Sequence, residues 1–173
     1  MGTWGTGILD NDTSNGVYED FMELYSEGLG FTEINSKLIE ENIESINDKF
    51  DCNNFWLALA LAQWETKSQE KSTFLKVQEI IETENDLIIW QDLEASEVDL
   101  KKRKKALNKF YDKIKVERKK ALPRDKVKLK PVFNKGDCLA FKLDNANYGG
   151  CIVIEADKET KFGYGRNLVL TTR

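Results

Sequence analysis

Side chains that could perform acid–base or nucleophilic chemistry are few in this sequence. Histidine, which is the commonest general base and a usual zinc ligand, is absent from the 173 residues. Two carboxylate pairs, Glu19 with Glu23 and Glu40 with Glu44, have the i, i+4 spacing that places both groups on one helix face. Such pairs are expected by chance in a strongly acidic region. We therefore predict no catalytic residues, no cofactor and no enzymatic activity.

The sequence does not complete a metal site. The segment that begins at Asn11 places Gly16 at the sixth position of an EF-hand loop, but Met22 stands at the twelfth, where calcium needs a bidentate glutamate. Its polar residues Asp12, Thr13 and Ser14 are better explained as N-caps of a helix. An odd number of cysteines without C-x-x-C spacing is typical of reduced thiols in a cytoplasmic protein. The cysteines are Cys52, Cys138 and Cys151.

The first seven residues are rich in glycine, which raises the question of a phosphate-binding loop. A Walker loop would need a lysine followed by serine or threonine, and none follows Gly7. We therefore expect the glycines to let the chain wrap while Trp4 fills part of a helical core. Neither a secretory signal nor a run of about 18 apolar residues is present, so we expect no membrane segment.

Charge is distributed in blocks along the chain. Residues 1–100 have a net charge of −17, residues 101–131 have +12, and residues 132–173 have +1. Such asymmetry indicates electrostatic docking, either of one part on another or on a partner. If the acidic block binds a partner protein, charge density favours six side chains: Glu19, Asp20, Glu23, Glu40, Glu41 and Glu44.

The basic block favours a different partner, because lysine and arginine that contact phosphates release counterions from nucleic acid. Phe110 and Tyr111 lie between its two clusters, but they fall on or beside an apolar seam and are better explained as core residues. The simpler interpretation of the basic block is a solvent-exposed helix whose positive charge balances the negative charge of the acidic helices. The nucleic-acid alternative would use Lys101, Lys102, Arg103, Lys104, Lys105, Arg118, Lys119 and Lys120.

Apolar spacing predicts helices up to about residue 117. A first helix should end at Gly28, and a second should run from Thr32 with an apolar face of Ile34, Leu38, Ile39, Ile43 and Ile46. The apolar stretch 55–64 predicts a buried central helix with Trp56 and Trp64 in the core. A fourth helix should carry the apolar residues Phe74, Val77, Ile80 and Ile81, and a short buried turn of helix should cover 87–90. A long basic helix capped by Ser96 should bury a seam formed by Leu100, Leu107, Phe110 and Ile114.

The pattern changes after Glu117. Residues 118–131 are basic and contain Pro123 and Pro131, which predicts a linker. Strands are predicted over 138–143, 148–156 and 167–172, with turns at 135–137 and 144–147. Cys138 and Cys151 should be core or half-buried on adjacent strands. The fold class is thus α+β: a helical domain (1–117), a linker (118–131) and a small antiparallel, SH3-like module (132–173). Because three strands rarely close a barrel, we expect the complete module to extend past residue 173.

Two segments resemble known bacterial families. The opening Met1-Gly2-Thr3-Trp4-Gly5-Thr6-Gly7 with Asp10-Asn11-Asp12-Thr13 resembles domains of unknown function that begin M-G-x-W-G-x-G. Lys135-Gly136-Asp137 and Tyr148-Gly149-Gly150 resemble the small β-domain of immunity proteins, which bind and block a toxin. This second resemblance implies an immunity-type inhibitor or adaptor that acts by protein–protein contact in the bacterial cytoplasm. The nucleic-acid-associated protein is the alternative.

Overall fold

The computed structural model describes residues 3–124, 131–143, 147–157 and 166–172. These residues form seven helices followed by three strands, which confirms the predicted α+β class with a helical N-terminal part and a small β module. The chain divides into two units, Met1–Arg124 and Asp125–Arg173. Within the described residues, no helix is long and apolar enough to cross a membrane.

Helix α1 (Asp12–Glu27) begins one residue earlier than the predicted caps imply. The N-cap is Asn11, whose side chain accepts a hydrogen bond from the backbone N–H of Ser14 at 2.8 Å. The prediction of Asp12, Thr13 or Ser14 as N-cap was therefore wrong, although asparagine caps a helix about as well as aspartate or serine. The predicted end at Gly28 is confirmed, because Gly28 adopts the left-handed conformation with a φ of 97°.

The predicted second helix is divided into α2 (Phe31–Glu41) and α3 (Ile43–Asn47). Asn42 ends α2, and both its backbone N–H and its side-chain amide donate to the carbonyl of Leu38. The prediction that one helix carries a continuous apolar face from Ile34 to Ile46 was therefore wrong. Ile34 and Leu38 are buried, whereas Ile39, which is adjacent to Leu38 on α2, and Ile43, which follows the break, are exposed.

Helix α4 (Cys52–Thr66) is the predicted buried central helix. One side of it packs in a cluster with α1 and α2, and the other side packs in a second cluster with α5 and α7. Trp56 and Trp64 are half-buried, so their assignment to the deepest core was wrong. The indole N–H of Trp64 explains its position, because it donates to the carbonyl of Val116 at 2.7 Å near the surface. The largest fully buried apolar side chains of α4 are Phe55, Leu57 and Leu59.

Three helices complete the unit: α5 (Lys71–Glu82), α6 (Asn85–Asp92) and α7 (Glu97–Ile114). The predicted buried turn at 87–90 lies in α6, but it is only partly buried, since Ile89 is in the core and Ile88 is exposed. Ser96 caps α7 as predicted, and its hydroxyl accepts from the N–H of Asp99 at 3.2 Å. Leu107, Phe110 and Ile114 of the predicted seam are buried.

The chain after α7 stays with the helical unit as far as Arg124. The backbone N–H of Leu122 donates to the carbonyl of Glu65 at 2.8 Å, and the hydroxyl of Tyr25 donates to the carbonyl of Leu122 at 3.0 Å. The guanidinium of Arg124 lies 4.8 Å from the centre of the Tyr25 ring. Residues 118–124 of the predicted linker are therefore held against α1 and α4. Residues 125–130 lie outside the described residues.

The second unit contains β1 (Cys138–Lys142), β2 (Tyr148–Asp157) and β3 (Arg166–Thr172). They form an antiparallel sheet in the order β1-β2-β3, with an irregularity between Val153 and Glu155. The predicted turn at 135–137 is present, and Gly136 has a φ of 95° there. Residues 144–146 of the other predicted turn lie outside the described residues. Cys151 is half-buried as expected, but Cys138 is exposed, so its predicted burial was wrong.

Candidate functional site

The centre of the basic run on α7 is a buried structural group. Arg103 has no exposed surface, and its guanidinium makes a bidentate ion pair with Asp86 of α6. Both hydrogen bonds, from Nε and from Nη2, measure 2.9 Å. Nη1 donates to the carbonyl of Gly7 at 2.7 Å, and the guanidinium lies 5.1 Å from the centre of the Trp90 ring.

This arrangement corrects two predictions. Arg103 cannot contact nucleic acid, because its donors are directed into the protein. The glycine-rich N-terminal segment is attached to the helices by the hydrogen bond between Arg103 and Gly7, and not by a buried Trp4, which is 61% exposed. A signal in the sequence could have indicated this role: Arg103 lies three residues after Leu100 and four before Leu107, on the line of the apolar seam.

The lysines around Arg103 are exposed, but several of them are paired with nearby carboxylates. The Nζ of Lys101 lies 4.0 Å from a carboxylate oxygen of Glu97, and that of Lys102 lies 3.5 Å from Asp99. Lys104 reaches Glu84 at 2.6 Å. Lys105 and Lys109 make no ion pair within the described ranges, and they border a surface cleft with Lys101, Lys104, Asn108 and the acidic Asp112.

The three residues of the second basic cluster, Arg118, Lys119 and Lys120, differ in their exposure to solvent. Arg118 is partly buried, with its guanidinium 3.7 Å from a Glu65 oxygen and 5.1 Å from the centre of the Trp64 ring. Lys119 and Lys120 are exposed. Arg118 thus helps to hold the segment after α7 in place, and the exposed lysines of the basic block lie both on α7 and in this segment.

Carboxylates of α1 and α2 converge on one surface, which we call the acidic face: Glu19, Asp20, Glu23 and Glu41. All four are exposed. Partial burial raises the pKa of Asp20 above its ordinary value, and repulsion from Glu23, Glu41 and Glu19 raises it further, whereas Lys37 lowers it. Four of the six predicted residues are therefore brought together. Glu40 and Glu44 are exposed, but they do not contribute to the raised pKa of Asp20.

Replacing Asp20 with asparagine should stabilise the fold at neutral pH. Because the folded-state pKa is raised, the ionised carboxylate opposes folding above that pKa, and this cost disappears as the pH falls through it. We expect Asp20→Asn to raise the free energy of unfolding at pH 7 by about 0.2–0.5 kcal/mol, as for other like-charge pairs on helices. Urea unfolding at a series of pH values should show the gain decreasing in acid.

Asp99→Asn is the control of opposite sign. A hydrogen bond from the Ser96 hydroxyl lowers the pKa of Asp99, so this carboxylate contributes stability that disappears as the pH falls through the lowered pKa. Asp99→Asn should therefore destabilise the protein at pH 7. A loss of stability in both variants would contradict the repulsion assigned to the acidic face.

A cavity of about 190 Å³ lies where the N-terminal segment meets α4 and α6. We call it the asparagine cavity; its polar lining includes Asn11, Asn53 and Asn54, and its apolar lining includes Phe50, Trp90 and Leu93. Asn11 Nδ2 donates to Asn54 Oδ1 at 3.2 Å, and Asn53 Oδ1 accepts from Asn85 at 3.4 Å. The Nδ2 of Asn53 is buried without an acceptor among the described residues. A buried donor left without a partner costs about 1–3 kcal/mol.

Comparisons with known proteins add no functional information. A scan against family models, a search of the curated proteins and a search of the solved structures each returned no match. The described residues also contain no group of three or more cysteine, aspartate or glutamate side chains that could hold a metal ion.

Proposed function

We propose that this chain is a non-enzymatic binding protein that holds a basic partner protein against its acidic face. An immunity-type inhibitor or an adaptor of the bacterial cytoplasm is the class we infer. The observation that carries the proposal is the convergence of exposed carboxylates from two helices, whose mutual repulsion adds to partial burial in raising the pKa of Asp20. Repulsion of this kind persists in the free protein and is relieved when a cationic surface covers the face.

Electrostatic complementarity also supports this assignment. Charged faces of opposite sign accelerate association and reject partners of the wrong charge. Glu19, Asp20 and Glu23 form no ion pair within the residues that the structure describes, so their charges are available to a partner. The N-terminal block that surrounds them has a net charge of −17, which extends the negative potential beyond the face itself.

Affinity capture from the source cell tests the proposal. The variant Glu19→Gln/Asp20→Asn/Glu23→Gln removes three charges from the acidic face, and we expect it to recover at least tenfold less of a basic protein than the unmodified chain does. The matched control, Glu94→Gln/Glu97→Gln/Glu155→Gln, removes three exposed charges elsewhere and should recover as much as the unmodified chain. Equal recovery by both variants would contradict the proposal.

A nucleic-acid-associated role is the second candidate, and the cleft on α7 is the observation that favours it. Lys105 and Lys109 are exposed there without an ion pair in the described part of the chain, and Lys101 has a weak contact at 4.0 Å. Arg103 is not part of this surface, because it is buried against Asp86. Any nucleic-acid interface would therefore consist of lysines that contact phosphates and would have little base specificity.

A salt titration with duplex DNA separates the two candidates. If α7 binds DNA, log K should fall steeply with log salt, and Lys101→Gln/Lys105→Gln/Lys109→Gln should reduce the slope by about 0.9 for each phosphate that is no longer neutralised. The control Lys71→Gln/Lys135→Gln/Lys142→Gln should leave the slope unchanged. Under the primary proposal, we expect DNA binding to be negligible at physiological salt in all three proteins.

A further inference from the structure

Residues 116–124 lie on α1 and α4 in the manner of a bound basic peptide. We call this segment, which follows α7, the basic strap; it contains four basic side chains and one acidic side chain. The side chains beneath it form hydrogen bonds, an ion pair and cation–π contacts with the strap or with each other. We call them the strap site: Tyr18, Tyr25, Trp64 and Glu65. The strap thus shows which chemistry this surface accepts.

Three hydrogen bonds join the backbone of the strap to its site. The N–H of Leu122 donates to the carbonyl of Glu65 at 2.8 Å, and the carbonyl of Leu122 accepts from the Tyr25 hydroxyl at 3.0 Å. Near the start of the strap, the carbonyl of Val116 accepts from the indole N–H of Trp64 at 2.7 Å. Main-chain hydrogen bonds of this kind give affinity for an extended peptide whatever its side chains are.

Two arginines supply the side-chain contacts of the strap. The guanidinium of Arg118 lies 5.1 Å from the centre of the Trp64 ring and 3.7 Å from a Glu65 oxygen. The guanidinium of Arg124 lies 4.8 Å from the centre of the Tyr25 ring. A planar guanidinium stacks on aromatic rings and pairs with carboxylates more favourably than a compact ammonium group does. The strap site therefore favours arginine over lysine.

Contacts outside the strap hold the site in position. The hydroxyl of Tyr18 donates to Glu65 Oε2 at 2.6 Å, and Lys113 of α7 lies 3.5 Å from Glu65 Oε1. Tyr25 is buried, and its ring stacks on that of Phe31 with 5.7 Å between the ring centres. Because none of these contacts involves the strap, the site keeps its shape when the strap leaves. A site that is already arranged binds a peptide without the cost of ordering its side chains.

The strap itself has little buried apolar surface. Arg118 and Leu122 are half-buried, and the rest of the strap is exposed. By contrast, α7 is anchored by the buried side chains of Leu107, Phe110 and Ile114. Segments with few buried apolar contacts open at the low end of the range of local stabilities. An incoming peptide can therefore replace the strap without unfolding the helices.

We propose that the strap site binds an extended, arginine-bearing segment of a partner protein, and that the basic strap occupies the site in cis until the partner displaces it. Occupation in cis lowers the apparent affinity for the partner by the fraction of molecules in which the site is open. The inference does not rest on the acidic face, because Tyr25 points about 160° away from Glu23 around α1. The capture assay for the acidic face leaves the strap site unchanged, so either proposal can fail alone.

A fluorescein-labelled peptide with the sequence of residues 116–124 tests the inference when it is titrated with the full chain and followed by fluorescence anisotropy. Arg118→Gln/Arg124→Gln loosens the strap and leaves the site intact, so we expect it to bind the peptide at least tenfold more tightly than the unmodified chain does. The matched control, Lys119→Gln/Lys120→Gln, removes the same charge from exposed positions of the strap and should bind as the unmodified chain does.

Three further measurements make the test specific. Leu122→Gly, which removes a half-buried side chain of the strap, should also raise the affinity and covers the case in which the double arginine variant does not fold. Adding Tyr25→Phe to a variant with a loosened strap removes one hydrogen bond to the peptide and should weaken binding about fivefold. A peptide with lysine in place of both arginines keeps its charge and should bind at least fivefold more weakly.

The proposal would be overturned by a peptide affinity that is the same for the unmodified chain and both variants with a loosened strap. Equal affinity for the arginine and lysine peptides would also overturn it, because the peptide would then be held by charge alone. Absence of peptide binding in every variant would show that the strap is a fixed part of the fold and would contradict the proposal.

Discussion

Replacing Arg103 with methionine is expected to lower the free energy of unfolding by about 3–5 kcal/mol, the usual cost of breaking a buried ion pair. The substitution leaves the Asp86 carboxylate buried without its guanidinium, and it removes the hydrogen bond to the Gly7 carbonyl. Urea unfolding followed by circular dichroism measures the change. Lys102→Met and Lys105→Met, in the same run of the sequence, should each change stability by no more than about 0.5 kcal/mol.

A double variant separates the destabilisation caused by an unpaired buried charge from the net contribution of the ion pair to stability. Asp86→Leu/Arg103→Met removes both charges, and buried pairs replaced by apolar residues are often neutral in their effect on stability. We expect the double variant to recover more than half of the stability that Arg103→Met removes. A similar small effect for Arg103→Met and Lys102→Met would show that Arg103 is not the buried anchor described here.

Truncating Phe21 should destabilise the fold about as strongly as removing Arg103. Phe21 of α1 is fully buried in the cluster that α1 forms with α2 and α4. Phe21→Ala should lower the free energy of unfolding by about 3–5 kcal/mol, because apolar burial is lost and a cavity remains. Trp4→Ala, which removes a larger side chain, should cost about 0.5 kcal/mol or less because that side chain is mostly exposed. A larger destabilisation for Trp4→Ala than for Phe21→Ala in thermal or urea unfolding would contradict this account and would indicate that Trp4 is a core residue.

Local signals predicted most of the secondary structure. Gly28 ends α1 and Ser96 caps α7, because a left-handed glycine and a hydroxyl acceptor act within one helical turn. The three strands were also predictable, because a segment of β-favouring residues between turn residues can be recognised from neighbouring positions in the sequence. The break at Asn42 was missed because the apolar spacing continues through Ile43, although the chain turns there.

Pairing between distant residues could not be predicted from the sequence. Arg103 stands among lysines, and its partner Asp86 lies 17 residues earlier in a different helix. Glu19, Asp20 and Glu23 lie within about one turn of α1, so their proximity follows from their spacing in the sequence. The choice of Glu41 over Glu40 depends on how α2 packs against α1, and adjacent residues on a helix point about 100° apart.

The kinetics of partner binding provide the most direct test of the central claim, which is that the acidic face holds a basic protein. The association rate constant of the captured partner should be measured by surface plasmon resonance over a range of ionic strengths. We expect the rate to fall steeply as salt rises, and we expect Glu19→Gln/Asp20→Asn/Glu23→Gln to reduce it about tenfold at low salt. A rate that is independent of salt, or identical for this variant and the unmodified chain, would contradict the claim.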